Sequence, residues 1–309
     1  MNRLISSFCL FWGSIILGYL ARRLRLLPPT FAPDVIRWLA SWIAPPVVLL
    51  AMWVIELHHV ALISLPFVGL AVSVASVLPA WWLMRRWQLS NGQRGSWLLA
   101  AFFSNVGYLG AIVAFAVWGE QAYGLCMLYF LFFGVLVYTV GYHIGDRYGT
   151  STTAEARAAK PLELWRWTPM VGTVVGLALS WWRVPRPPVL TAVNHALIPL
   201  LTGVYLFTVG TTFHFSRVGR HWRPALWMSA IKLVYAPLVG GLLAWWLGYR
   251  HLLHGVVWRV TILESAMPTA ITSLTLPALF GLDQDFANGL WIITTLCSML
   301  VIPLLLGVL

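Results

Sequence analysis

The sequence predicts an all-α polytopic membrane protein whose ten transmembrane helices form two inverted five-helix repeats. Three observations carry that expectation. Apolar stretches of about 20 residues recur from one end of the chain to the other, each long enough to cross a hydrocarbon core about 30 Å thick as a helix. The basic residues alternate between the two faces that such stretches define. Helix breakers recur at matching positions of the two halves.

Composition sets the first observation. Of 309 residues 60% are hydrophobic and 9% charged, so a soluble fold would leave large apolar surfaces facing water. The formal charge of +11 raises nucleic acid as a partner, but the basic residues stand in short clusters between apolar segments and make no polar face. No nucleic acid is expected. Cys9, Cys126 and Cys297 lie far apart inside apolar segments, a pattern that suits packing rather than a disulfide framework or a zinc motif. The first apolar segment, Leu4 to Leu20, is followed rather than preceded by the cluster Arg22, Arg23 and Arg25, as in a retained helix rather than a cleaved signal.

The spans are expected at Leu4 to Leu20, Trp38 to Ile55, Ala61 to Met84, Trp97 to Trp118 and Tyr123 to Ile144 in the first half. In the second they are Trp167 to Trp182, Leu190 to Phe213, Ala225 to Leu247, Leu252 to Phe280 and Leu290 to Val308. The long polar connection Gly145 to Arg166 separates five spans from five, giving a first repeat over 1–145, a linker over 146–166 and a second repeat over 167–309. With this count fourteen basic residues fall on one face, among them Arg85, Arg86, Lys160 and Arg223. The other face receives four: Arg3, Arg183, Arg186 and Arg250. The richer face is expected to be cytoplasmic by the positive-inside rule, which places both termini outside the membrane and the 146–166 loop in the cytoplasm. Tryptophans such as Trp81, Trp82, Trp245 and Trp246 crowd the span ends, where indole rings favour the headgroup zone.

An odd number of spans per half inverts one half relative to the other. The fourth span of the first half contains Ser104-Asn105-Val106-Gly107-Tyr108-Leu109-Gly110 and ends at Gly119 and Glu120. Its counterpart contains Ser265-Ala266-Met267-Pro268-Thr269-Ala270 and ends at Gly281, Leu282 and Asp283. Proline also recurs near the middle of each second span, as Pro45 and Pro46 and as Pro199. Pro268 lacks a donor and Gly107 and Gly110 weaken a helix, so both fourth spans are expected to break or kink. Peptide groups freed in hydrocarbon cost several kcal/mol each and are tolerated only where protein or water surrounds them. Half-helix N-termini there favour an anion, and free carbonyls a cation.

Asn105 can serve a carboxylate directly or satisfy the broken backbone, and the hydroxyls of Thr269 and Ser273 can do similar work or bond back to their own helix. Gly107, Gly110 and Pro268 complete the expected substrate-binding set. Lys232, Arg259 and Glu264 are charges inside predicted spans, expensive in a membrane unless paired or wet. Glu264, one turn before Pro268, is placed to take up a proton or to pair with Lys232. Arg259 is read as an interfacial anchor. The histidines near span ends and the His58-His59 turn are read as interfacial. No third ligand supports a metal site and no Gly-x-Ser-x-Gly nucleophile occurs, so no enzyme chemistry, metal or cofactor is expected.

At these same residues the chain resembles the auxin efflux carrier family in its shorter bacterial form. The likeness runs through Gly18-Tyr19-Leu20, the Asn105 to Gly110 run, Lys232-Leu233-Val234-Tyr235-Ala236-Pro237, Glu264-Ser265-Ala266-Met267-Pro268 and Pro303. The resemblance implies a fold related to the bile acid symporters, with the broken fourth and ninth helices crossing, and small organic anions as substrates. Two departures are visible. Many members carry proline at the first crossover, so here the break is expected to rest on Gly107, Gly110 and Asn105 and to be shallower. The third span offers only Ser64, Ser73 and Ser76 where the plant carriers have ionisable groups, which leaves Glu264 and Lys232 as the candidates for proton or ion coupling.

The expectation is a secondary transporter of a small carboxylate working by alternating access, with proton or sodium coupling open. The rival is a nontransporting membrane sensor or assembly partner in which the breaks are structural only. Gly172 and Gly176 mark a helix contact either within one chain or between two copies of a homodimer.

Overall fold

A computed structural model of the chain describes residues 2–28, 31–55, 60–151, 168–212 and 221–309. His58, His59, His214, Arg157, Lys160, Arg166, Arg217 and Arg220 lie outside the described residues, as does most of the 146–166 linker. The described residues are helical throughout and contain no strand beyond one isolated antiparallel bridge, Ser104 to Thr269. Among them, six helices are long and apolar enough to cross a membrane: Asp34–Trp53, Ala61–Arg86, Glu120–Tyr148, Pro188–Thr211, Trp222–Trp246 and Gln284–Val308. Val106–Trp118 and Met170–Trp181 are shorter apolar helices. Backbone hydrogen bonds closed within each helix are what lets such segments lie in lipid.

Both expected breaks are present, each inside a segment predicted as a single span. The fourth splits into Asn91–Phe102 and Ala111–Trp118, joined by a wider turn at Val106–Gly110. The ninth splits into Val256–Ser265 and Thr272–Phe280. Asn91–Phe102 begins earlier than the expected Trp97 because Ser90 and Gln93 form a capping box. The Ser90 hydroxyl accepts from the Gln93 amide at 3.3 Å, and the Gln93 side chain accepts from the Ser90 amide at 3.3 Å.

Two compact units divide the chain, and each draws on both halves of the sequence. The first comprises Met1–Leu65, Gly107–Leu131 and Glu163–Phe213. Its helices approach to backbone contact at glycines. A side chain at Gly18 would meet the Phe207 carbonyl, and one at Gly210 the Ile15 carbonyl, so Asn2–Arg23 and Pro188–Thr211 touch at two points. Gly172 and Gly176 lie in the same way against the Pro45 and Leu49 carbonyls. That assigns the glycine pair to a contact within the chain, and the homodimer expectation is left without a residue to carry it. The prolines Pro45 and Pro46 lie mid-helix in Asp34–Trp53, directly after the widened turn Leu39–Ile43.

The second unit comprises Pro66–Val106, Phe132–Leu162 and His214–Leu309. Its core gathers Ala80, Trp97, Met228, Phe286 and Leu290, with a neighbouring cluster of Phe103, Val137, Tyr142, Leu276 and Phe280. The Trp97 indole is fully buried and donates to the Ala80 carbonyl at 2.8 Å, as a buried indole N–H requires. These clusters hold the second half of the ninth segment and the first half of the fourth. At the end of Ala61–Arg86 the guanidinium of Arg85 lies 3.5 Å over the Trp81 ring and that of Arg86 4.0 Å over Trp82. Both tryptophans are exposed, as an interfacial position predicts.

Candidate functional site

Two extended strands of backbone meet in the second unit, and each satisfies what the other's break leaves open. The Asn105 amide donates to the Pro268 carbonyl at 2.8 Å, and the Ala270 amide donates to the Phe103 carbonyl at 3.0 Å. Phe103 has φ −94° and ψ 125°, fully extended backbone directly after the Asn91–Phe102 helix. The first break therefore lies at Phe103 to Asn105, ahead of the glycines. That corrects the expectation of a break made by the glycines. No proline is needed there because pairing with the Pro268 segment supplies the partners that hold the backbone extended.

The glycines have other work. Gly107 belongs to the first unit, where an added Cβ would stand 3.0 to 3.2 Å from the Phe130 ring, so its absence seats that ring. Gly110 has ordinary helical φ and ψ at the head of Ala111–Trp118. Asn105, Pro268, Thr269 and Ser273 are thus brought together in one unit, while Gly107 and Gly110 are not among them.

The carbonyls at the end of Asn91–Phe102 show how the break is sealed. In a continuous helix Ala101 O would accept from Asn105 N, which is turned to Pro268 instead. The Lys232 ammonium donates to Ala101 O and, at 2.9 Å, to the Ser104 hydroxyl. The Thr269 hydroxyl donates to Ala100 O at 3.3 Å, and the Ser273 hydroxyl to Ala270 O. Lys232, Thr269, Ser273 and Glu264 are fully buried. Lys232 is therefore first a partner of the broken helix's end. A cation suits the negative end of a helix dipole, the more so away from water.

The Asn105 side-chain amide differs from its neighbours. Asn105 is 8% exposed, and its side chain makes no hydrogen bond with the described residues. Two donors and an acceptor are held beside the paired Asn105–Pro268 and Ala270–Phe103 backbone. On the other side of the break, Gly240 admits Ser265 so closely that a Cβ at Gly240 would stand 2.7 Å from the Ser265 Cβ. That contact fixes the Val256–Ser265 helix and hence the approach to Pro268.

Sequence reasoning missed a second buried polar cluster, in the first unit. Gly119 adopts φ +82° and turns the chain out of Ala111–Trp118, which makes Glu120 the first residue of the next helix. Both guanidinium nitrogens of Arg186 bond the Glu120 carboxylate, at 2.7 and 2.9 Å, and Asn194 Nδ2 donates to it at 2.5 Å. Arg186 also donates to the Leu50 carbonyl at 2.8 Å and to the Thr191 hydroxyl at 2.7 Å. His195 Nε2 lies 3.6 Å from the carboxylate on the exposed side. Arg186, counted among the four basic residues of the outer face, is therefore tied up in a buried ion pair. Its partners come from segments far apart in the chain, and only the Gly119-Glu120 pair signalled the place. Asp283 plays the matching part in the second unit after Gly281, φ +65°: one carboxylate oxygen caps Phe286 N at 2.9 Å and the other accepts from Gln93 at 3.2 Å.

Comparison with known proteins bears on both halves of the chain. Residues 155–306 match the family described as Membrane transport protein. Over 297 residues the chain is 23% identical to an uncharacterized transporter of Methanothermobacter thermautotrophicus, a likeness that covers 94% of this chain and 93% of that protein. Helices long and apolar enough to span, the broken segments at the Asn105 and Pro268 motifs, and this likeness agree. The second half of the chain thus matches the membrane transport protein family, nearly its full length is similar to a transporter, and its helices include six long and apolar enough to span a membrane among the described residues.

Proposed function

We propose that the chain is a secondary transporter that moves a small organic anion by alternating access, with the carboxylate held at Asn105 beside the Pro268 crossing. The observation that carries this reading is the unspent Asn105 side-chain amide, held next to the paired Asn105–Pro268 and Ala270–Phe103 backbone. The N-terminus of Thr272–Phe280 favours negative charge in the same unit, while the Ser273 hydroxyl is spent on Ala270 O. The reading includes ten membrane passages in two inverted repeats, 1–145 and 167–309 joined by a cytoplasmic 146–166, with both termini outside an inner membrane. The matching parts of Gly119-Glu120 and Gly281-Asp283 at the heads of the following helices support the repeat.

Flux in proteoliposomes across a panel of mono- and dicarboxylates tests the site. A hydrogen bond to a charged group contributes about 1.5–3 kcal/mol, so Asn105→Ala is expected to lower kcat/KM roughly 10- to 100-fold. Unchanged flux in the variant would overturn the assignment. Saturable binding with no flux in the wild type would favour a sensor instead.

Proton coupling falls to Glu264, fully buried one turn before Pro268. With an imposed pH gradient the wild type is expected to accumulate its substrate, and a protonophore to abolish this. Glu264→Gln is expected to exchange substrate without gradient-driven accumulation. Accumulation by the Gln variant equal to the wild type would remove Glu264 from the coupling.

A further inference from the structure

We infer that Lys232 is a tethered cation of the crossover: its ammonium occupies, at the end of the broken Asn91–Phe102 helix, the place of a mobile coupling cation, so the carrier works without sodium. Stripped of that ammonium, the place accepts a small cation from solution. The inference rests on reading the crossover as the working part of a carrier.

The argument starts from what a broken helix leaves behind. Its last carbonyls point along the axis without amide partners and concentrate partial negative charge. In a membrane they need a partner, and a water-excluded site makes a cation the strongest one. Here the partner of Ala101 O is the Lys232 ammonium, which also receives the Ser104 hydroxyl oxygen as a ligand at 2.9 Å. A carbonyl and a hydroxyl are oxygen donors of the kind that bind hard metal cations. The ammonium sits among them as such an ion would, but it is attached to the chain.

The local fold is built to deliver it. Lys232 lies in a widened turn, Ile231–Tyr235, inside the Trp222–Trp246 helix, with Ile231 and Leu233 buried on either side. Such bulges re-aim a side chain within an otherwise regular helix and gather at functional places. The helix continues at once past Pro237, whose missing amide falls directly after the widened turn. A lysine that merely reached the interface would lie near a helix end. This one is mid-helix and fully buried. Its charge also stands beside Ser104, the neighbour in sequence of Asn105, and so favours a bound carboxylate.

Thermal unfolding of purified protein tests this without any substrate, in sodium, potassium, methylammonium and choline chloride at equal ionic strength. The wild type is expected to unfold at one temperature in all four salts. Lys232→Ala is expected to unfold a few degrees lower in choline, with at least half of the loss restored by methylammonium or sodium. An equal loss in every salt, or no loss, would overturn the inference, because a lysine that serves packing alone cannot be replaced by a free ion. Ser104→Ala, which removes one oxygen and keeps the ammonium, is expected to be mildly destabilised and indifferent to the salt. Restoration of Ser104→Ala by sodium would count against the proposal.

A second arm needs no variant. Flux of whichever acid of the panel moves is expected to survive complete replacement of sodium by choline on both sides, and a sodium requirement in the wild type would overturn the inference. If no acid moves, the transport reading fails while the unfolding result still decides the role of Lys232.

Discussion

Arg186→Ala is expected to lower the unfolding free energy by about 3–5 kcal/mol, the range for breaking a buried ion pair from one side. The side chains of Arg186 and Glu120 are only 8% and 6% exposed. Removing the guanidinium strips two hydrogen bonds from a carboxylate that stays buried, and takes the donors from Leu50 O and Thr191 Oγ1 as well. Asn194 remains as a partner, which sets the loss near the middle of that range. His195→Ala is expected to cost under about 1 kcal/mol, since its side chain is 51% exposed and water screens the 3.6 Å approach. Replacing the pair together, as Glu120→Leu with Arg186→Met, is expected to be milder than Arg186→Ala alone, because no uncompensated charge is left. Chemical unfolding in detergent checks the series. An Arg186→Ala variant within about 1 kcal/mol of the wild type would show the cluster to be wetter than its burial implies.

Gly210→Ala comes second in size. In an open helix, glycine to alanine is worth up to about 1 kcal/mol of stabilisation through helix propensity. At Gly210 the new methyl would meet the backbone of Ile15, with the carbonyl carbon 2.9 Å away and Cα 3.0 Å away, and backbone cannot step aside as a flexible side chain can. Overpacking costs about 1–3 kcal/mol, so the net effect is expected to be destabilising by about 1–2 kcal/mol. Gly13 supplies the control on the partner helix. An added Cβ meets nothing within 4 Å there, and Gly13→Ala is expected to be neutral or stabilising by up to about 1 kcal/mol. Thermal unfolding of the two variants side by side should give shifts of opposite sign. Two shifts of the same sign would mean that the helices do not meet at Gly210.

Much of the architecture was legible because a bilayer writes itself into composition. Apolar stretches, tryptophan at their ends and Arg-Arg pairs such as Arg85-Arg86 follow from the cost of burying charge and the reward for burying apolar surface, which act residue by residue. The breaks at Asn105 and Pro268 were visible for a similar reason: proline, glycine and a lone amide in an apolar run are local exceptions. The place and cause of the first break were not visible. Gly107 and Gly110 are the local helix breakers, yet the chain opens at Phe103 to Asn105, because the amide and carbonyl there are taken by Pro268 and Ala270. Local propensity was overruled by a pairing between residues some 160 positions apart, the separation of Asn105 and Pro268 in the sequence.

The same division separates the charged residues. Glu264 and Lys232 stood out from the sequence because each interrupts an apolar run. Glu120, Arg186 and Asn194 did not, because they lie at predicted span ends where polar residues are ordinary, and their burial depends on which ends meet. The sequence by itself determined the solvent, the helical content and the two segments that cannot remain continuous helices, since these depend on the free energy of single residues and short runs. The tertiary structure alone decided that Lys232 closes the end of a broken helix, that Arg186 is a buried staple, and that Gly172 and Gly176 pack inside the chain. A hydrogen bond or a close backbone contact belongs to two residues at once, and its partner is named only when distant segments have come together.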